Sequence, residues 1–186
     1  IKCGVPQGSI LGPLLFLLYI NDIVMSSDVF KFFLFADDTS LFYSHKDQKE
    51  ATIIMNKELS KISHWLAANK LSLNVGKSKL LIFTNQKIKT SDLELFINGE
   101  RLEEVDFAKY LGVLIDNKLT WKNQIDAINL KLSKGIGLLA KIRHFVPKSV
   151  LRSLFFTFIN PHTDYNLLNW GMAPDTYLET VAKKIK

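Results

Sequence analysis

The sequence predicts an α+β fold, and three observations carry that expectation. An aromatic, β-branched stretch turns back on itself around residues 29–43. A second group of short strand-like runs follows at 93–116, and helical periodicity takes over from Trp121. The 186 residues are 47% hydrophobic and 23% charged, which suits one sizeable core or two small ones.

The elements follow in order. GVPQGS (4–9) is a turn punctuated by Gly4, Pro6 and Gly8, and Ser9 can cap the helix after it. Pro13 is tolerated in a first helical turn. The stretch to about Ile23 is apolar on nearly all faces and predicts a buried helix, with Asn21 and Asp22 at its polar end. Asp22 reads as a helix-end or turn residue. VFKFFLFA (29–36) and TSLFY (39–43) predict a hairpin with Asp37 and Asp38 at its tip. Residues 47–70 carry Ile54, Leu59, Ile62, Trp65 and Leu66 at helical spacing and predict an amphipathic helix. LSLN and GKSKLLIF predict a turn followed by a strand. LELFING predicts a hairpin at Asn98-Gly99, a strong short-range turn signal, and YLGVLID predicts another strand. One helix is expected from Trp121 to His144, another from Pro147 to about Ile159, and a short amphipathic one near the C-terminus.

Composition excludes several classes. The single cysteine, Cys3, leaves no internal disulfide and no cysteine-rich metal site, so a reducing, intracellular setting is expected, nucleus and cytoplasm alike. His45, His64, His144 and His162 lack zinc-type spacing. The longest apolar run, ILGPLLFLLYI (10–20), is too short to span a bilayer, and no membrane partner is expected. The chain starts at Ile1 rather than Met and reads at once like the middle of a domain, so a fragment of a longer protein is expected.

The net charge of +6 is unevenly placed. Residues 1–126 carry 15 Lys/Arg and 15 Asp/Glu, whereas 127–186 carry 9 and 3. No acidic residue occurs from Ala127 to Thr163. Such a surface attracts polyanions, nucleic acid included, although a lysine-rich solvated helix face is the plainer reading.

FLFADDTSLFY (33–43) sets two adjacent aspartates between apolar runs. Adjacent aspartates often only make a turn. The apolar flanks argue for a buried, rigid hairpin instead. Two carboxylates fixed at its tip repel each other unless a cation joins them. Mg²⁺ prefers such oxygens, and two ions about 4 Å apart can clamp an in-line phosphoryl displacement. A P-loop would need G-x-x-x-x-G-K-[ST], which is absent.

These blocks resemble a known family. GVPQGSILGPLLFLLYINDI, FLFADDT, NKLSLNVGKSKLLIF and YLGVLIDNKLTW, in that order over residues 3–122, resemble the reverse transcriptases of non-LTR (LINE-type) retrotransposons. The resemblance implies the C-terminal half of a right-hand polymerase domain: part of an antiparallel palm with packed helices at 1–118, then a mainly helical thumb-like region at 119–186. It implies that Asp37 is the metal-binding catalytic aspartate and that Asp38 supports it, with Mg²⁺ as the cofactor and Mn²⁺ as the alternative. Phe35 and Ala36 would lie near the primer end. Pro6, Gln7, Gly8 and Ser9 would line the nascent base pair. Lys77, in the Asn74-x-x-Lys77 block, would approach the leaving pyrophosphate as cation or proton donor. Tyr110, Leu111 and Gly112 would belong to the primer-grip hairpin. Lys131, Lys134, Lys141, Arg143, Lys148 and Arg152 would contact phosphates of an RNA template and DNA primer. Phe145, Phe155, Phe156 and Phe158 are expected in the core rather than as stacking platforms.

The family's palm has another carboxylate, and its fingers, in blocks that precede GVPQGS. The fragment is therefore expected to lack part of the metal-ligand set and not to polymerise alone, although the family extends a primer with deoxynucleoside triphosphates. A non-catalytic nucleic-acid-binding remnant, using the basic C-terminal helices, is the alternative.

Overall fold

The computed structural model describes Pro6 and residues 8–84 and 93–185. Cys3 and Gln7 lie outside the described residues. The chain forms two compact units: Ile1–Lys79 with Ile88–Glu103, and Leu80–Lys87 with Glu104–Lys186.

In the first unit, the Ser9 N–H closes a turn onto the Pro6 carbonyl at 3.2 Å, and Gly8 takes the positive φ of 83° that this turn needs. The Ser9 hydroxyl accepts from the Gly12 N–H at 3.1 Å, but the N-cap position itself is Leu11, two residues beyond the expected serine. Helix α1 (Gly12–Ile20) starts there, with its proline in the first turn, and a 3₁₀ turn (Asn21–Ser26) continues it. Asp22 sits in the first turn of that segment, a turn residue as the sequence suggests. The expected burial of this helix does not hold. Of α1 only Ile20 is buried, while Leu14, Leu17 and Leu18 are at least half exposed. A helix apolar on every side needs partners on every side. Near its C-terminal end, where Ile20 is buried, the Tyr19 hydroxyl donates to the Asn69 carbonyl.

Strands β1 (Lys31–Phe35) and β2 (Asp38–Phe42) form the expected hairpin, in the register Phe35 to Asp38. Helix α2 (Gln48–Ala68) is capped by Asp47, whose carboxylate accepts from the Glu50 N–H at 2.8 Å. Its buried stripe includes Leu59, Ile62 and Leu66, and it packs on the 3₁₀ turn. One buried charge fastens that contact. Glu58 accepts from the Ser27 hydroxyl at 2.6 Å and pairs with Lys61 at 2.7 Å. These two bonds, Lys61 first, hold its carboxyl below the ordinary 4.5 despite its burial. The Ser27 oxygen in turn accepts from the N–H groups of Val29 and Phe30, the entry to β1.

Strand β3 is only Lys79–Leu80, shorter than GKSKLLIF suggests. Strands β4 (Phe96–Ile97) and β5 (Glu100–Arg101) flank the expected turn, with Asn98 at φ 53° and Gly99 at 79°. The Asn56 side chain of α2 grips this segment, donating to the Glu94 carbonyl and accepting from the Phe96 N–H. Strand β6 (Glu103–Glu104) pairs with β3.

In the second unit YLGVLID is not one strand. Strands β7 (Phe107–Tyr110) and β8 (Val113–Asp116) are antiparallel, and the chain reverses at Leu111-Gly112. Then come α3 (Lys122–Ile142), α4 (Lys148–Phe158), two short helices α5 (Asn160–Asp164) and α6 (Leu167–Trp170), and α7 (Asp175–Ile185). Their core gathers Ile125, Ile128, Leu132, Ile159, Trp170 and Val181. Phe155 packs against it, as expected. Phe145, Phe156 and Phe158 are instead more than half exposed: Phe145 precedes α4, Phe158 ends it, and Phe156, next to Phe155, points off the face that Phe155 turns to the core.

Asp116 joins the hairpin to α3. Its carboxylate accepts from the N–H groups of Lys118 at 3.1 Å, Thr120 at 2.9 Å and Trp121 at 2.8 Å. Those bonds steer the chain through Leu119 at φ 53° and Trp121 at φ 62° into the helix. The buried Gln124 side chain then accepts from the Leu114 N–H at 2.9 Å, fixing α3 on β8. Burial pushes the Asp116 carboxyl up, but the backbone donors at Thr120, Trp121 and Lys118 outweigh it and hold the group below 3.8. A carboxylate depressed on folding contributes stability that is full above its ordinary value and lost as pH falls through the folded one. Asp116→Ala is expected to cost about 2–4 kcal/mol at neutral pH. In urea melts, its deficit against the parent chain should shrink as pH falls below about 4.

Candidate active site and nucleic-acid interface

The hairpin reverses through two residues, Ala36 and Asp37. Ala36 takes a positive φ of 51°, Asp37 follows it, and Asp38 opens β2 opposite Phe35. A left-handed alanine costs about 1 kcal/mol that glycine would not. Backbone strain next to a candidate catalytic carboxylate fits a site where geometry outranks local comfort.

The flanks differ from expectation. They alternate along β1, with Phe32 and Leu34 partly buried and Phe33 and Phe35 exposed. Phe33 meets Phe42 edge-on at 5.1 Å across the hairpin. Asp37 and Asp38 are exposed as well. Water therefore screens their repulsion, and no cation is needed for stability. The reason is the sheet: β1 and β2 make a two-stranded ladder, and two strands cannot enclose both faces.

Mg²⁺ takes near-octahedral oxygen coordination. Two carboxylates on one turn do not complete such a shell. Among the described residues no group of three His, Cys, Asp or Glu side chains is placed to hold an ion.

Other candidates of the first unit are exposed loop groups. Gly8 lies in the Pro6–Ser9 turn. Gln7 is outside the described residues. Lys77 ends a 3₁₀ turn (Val75–Lys77) whose cap is Asn74, its side chain accepting from the Lys77 N–H at 3.2 Å. The cap accounts for Asn74 but not for a lysine at 77, and the Lys77 ammonium is exposed.

The second unit holds the remaining candidates. Tyr110, Leu111 and Gly112 form the end and turn of the β7–β8 hairpin, with Leu111 at φ 46° and Gly112 at 83°. Lys131, Lys134 and Lys141 lie within about 80° of one another around α3, from the helical rotation per residue. Lys148 and Arg152 share one face of α4, four residues apart. Among the described residues none of these, nor Arg143, is in an ion pair, and all are exposed. Arg152 lies over the Phe156 ring at 5.8 Å, and Arg143 donates to His144.

A cleft of about 360 Å³ opens beside the hairpin turn, lined by Lys109, Gly112, Lys131, His162 and Tyr165 among others. Among the described residues no carboxylate lines it, and a lining of this charge favours anions. Lys131 was legible as a cation on a basic helix. Lys109 had a weak signal beside YLG. His162 and Tyr165 had none, because tertiary packing brings them there.

A family model described as reverse transcriptase (RNA-dependent DNA polymerase) matches residues 1–115, more than half of the chain. The chain belongs to the reverse transcriptase family. It is 27% identical to a probable RNA-directed DNA polymerase from transposon X-element of Drosophila melanogaster, over 97% of this chain and 20% of the relative. It is equally 27% identical to the RNA-directed DNA polymerase from mobile element jockey of Drosophila funebris, over 97% of this chain and 21% of the relative. A third relative is a retrovirus-related Pol polyprotein from type-1 retrotransposable element R1 2 of Nasonia vitripennis, 24% identical over 90% of this chain and 43% of its own length. The chain thus spans about a fifth of the first two relatives. No solved structure matches it. In this reverse transcriptase chain the family match takes in the aspartate turn, Lys77 and the Leu111-Gly112 turn, and the similarity to the relatives runs on through the basic helices.

Relieving strain at Ala36 should not weaken the fold. Ala36→Gly is expected to leave stability unchanged or to raise it by up to about 1 kcal/mol. The same change at Ala67, in α2, should lower it by about 1 kcal/mol. Urea denaturation of the two variants checks this.

Proposed function

We propose that this chain is the C-terminal part of an RNA-directed DNA polymerase domain that extends a DNA primer on an RNA template. In this reading residues 1–118 supply part of the palm and 119–186 a thumb-like region, with the β7–β8 hairpin at the junction. The carrying observation is the aspartate turn, a strained reversal that presents Asp37 and Asp38 at a hairpin tip inside the span that matches the reverse transcriptase family.

Each group has a role in this reading. Asp37 and Asp38 contribute metal-binding oxygens, for Mg²⁺ with Mn²⁺ as the alternative. The described residues do not complete that shell, so in this reading a further carboxylate comes from elsewhere in the protein. The relatives' greater length leaves room for it. Phe35 and Ala36 lie toward the primer end. The Pro6–Ser9 turn, Gln7 included, faces the nascent pair and the deoxynucleoside triphosphate. The exposed Lys77 ammonium neutralises phosphate charge. Tyr110, Leu111 and Gly112 support the primer. Lys131, Lys134, Lys141, Arg143, Lys148 and Arg152 hold the duplex backbone without reading its sequence.

A second reading has its own observation. The stretch 127–163 has no acidic residue, and its cations are exposed. That face suffices for a non-catalytic nucleic-acid-binding remnant.

Primer extension separates the readings from a stronger claim. The 186-residue chain, with an RNA template, DNA primer, deoxynucleoside triphosphates and Mg²⁺, is expected to give no product, as is Asp37→Ala. Product from the parent that vanishes in Asp37→Ala would show the ligand set to be complete within this chain. Grafted into a full-length relative, residues 1–186 should support extension, and Asp37→Ala should lower it by at least about 10³-fold. Activity of the graft that survives Asp37→Ala would favour the remnant reading.

A further inference from the structure

The β7–β8 turn is built from an ill-suited residue. Leu111 and Gly112 both have positive φ, at 46° and 83°, between the paired Tyr110 and Val113. Two left-handed residues in a two-residue loop make a type I′ turn. Asn-Gly forms such turns readily, as Asn98-Gly99 does in this chain. A leucine in the first position resists, because its Cβ crowds the following carbonyl.

The support comes from far along the sequence. The Tyr165 hydroxyl donates to the Leu111 carbonyl at 2.6 Å across 54 residues. The Tyr165 ring lies 3.5 Å from where a β-carbon on Gly112 would stand. Tyr165 is itself anchored. Its N–H donates to the Pro161 carbonyl at 3.1 Å, and its carbonyl accepts from the Trp170 indole at 2.9 Å. Trp170 is buried in the helical core with Ile125 and Ile159. A continuous path of bonds therefore runs from that core to the hairpin turn.

Burial does not explain Tyr165, which is 55% exposed. Its geometry does: the hydroxyl meets the carbonyl of the strained leucine in this turn. The turn and the tyrosine both line the basic cleft with Lys109, Lys131 and His162, so movement of the turn reshapes the cleft's rim.

We propose that Tyr165 is a positioning residue that latches the Leu111-Gly112 turn in its left-handed form, so that the hairpin meets the primer strand in one fixed shape. The inference rests on the reading of this hairpin as the primer's support.

The test is a double-mutant cycle in the 186-residue chain. Tyr165→Phe keeps the ring and removes the hydroxyl. Leu111→Asn creates a second Asn-Gly turn, which holds its shape unaided. Amide hydrogen exchange over residues 107–116 reports the latch, and fluorescence anisotropy with an RNA–DNA hybrid reports its use. Tyr165→Phe alone is expected to speed exchange about threefold to tenfold and to weaken hybrid binding by a similar factor. In the Leu111→Asn background the same change should alter both by less than about twofold. Unchanged exchange in Tyr165→Phe, or an equal effect in both backgrounds, overturns the latch. Exchange that rises and is rescued, with hybrid affinity constant throughout, upholds the latch and overturns the reading of the hairpin as the primer's support.

Discussion

The second unit depends on one carboxylate. Asp116 closes β8 and, through three backbone N–H groups, sets the path into α3. Three donors on one anion outweigh the cost of burying it, which is why the group stays ionised in a mainly apolar setting. With α3 so directed, Ile125, Ile128 and Leu132 point into the core, and Gln124 reaches back to β8. The cations of α3 are then left on the solvent side. Glu58 plays the matching part in the first unit, tying α2 to the chain that enters β1. In each unit a buried acid determines how a helix sits on the hairpin region it serves.

Much of the fold was legible because its signals are local. Asn98-Gly99 marks a turn by its own chemistry, and the stripe of α2 repeats at helical spacing from Ile54 to Leu66, about three and a half turns. The aspartate turn stood out by charge in an apolar run. What stayed hidden depends on distant partners. YLGVLID reads as a strand because Leu111 carries no turn chemistry, and its reversal is supported by Tyr165, 54 residues on. Leu14, Leu17 and Leu18 read as buried, yet composition states only that a helix would gain from burial, not that a neighbour exists. Asp116 looked like the end of a strand, although its spacing to Thr120 and Trp121 was in view. Of the site, the aspartates and the basic helices were legible, whereas His162 and Tyr165 reach their cleft through packing alone.

The two units carry different chemistry. The first presents exposed acids on a strained turn, together with Lys77. The second presents basic side chains on α3 and α4 and a cleft without carboxylates. In the proposed function, polyanion binding uses the second set and metal chemistry the first. In that proposal, binding to an RNA–DNA hybrid is separable from the aspartates, and the turns that serve the two sets carry strain at Ala36 and Leu111.

The most direct measurement is hybrid affinity across a salt series, from about 50 to 200 mM NaCl, without divalent metal. Three proteins are compared: the parent chain, a Lys131→Gln, Lys134→Gln, Lys141→Gln variant, and an Asp37→Asn, Asp38→Asn variant. The account predicts that the lysine variant binds more weakly and that its logarithmic salt slope falls by about 2–3 in magnitude. The aspartate variant should keep the parent slope. A lysine variant with the parent's affinity and slope, or an aspartate variant that no longer binds, would contradict the division of labour.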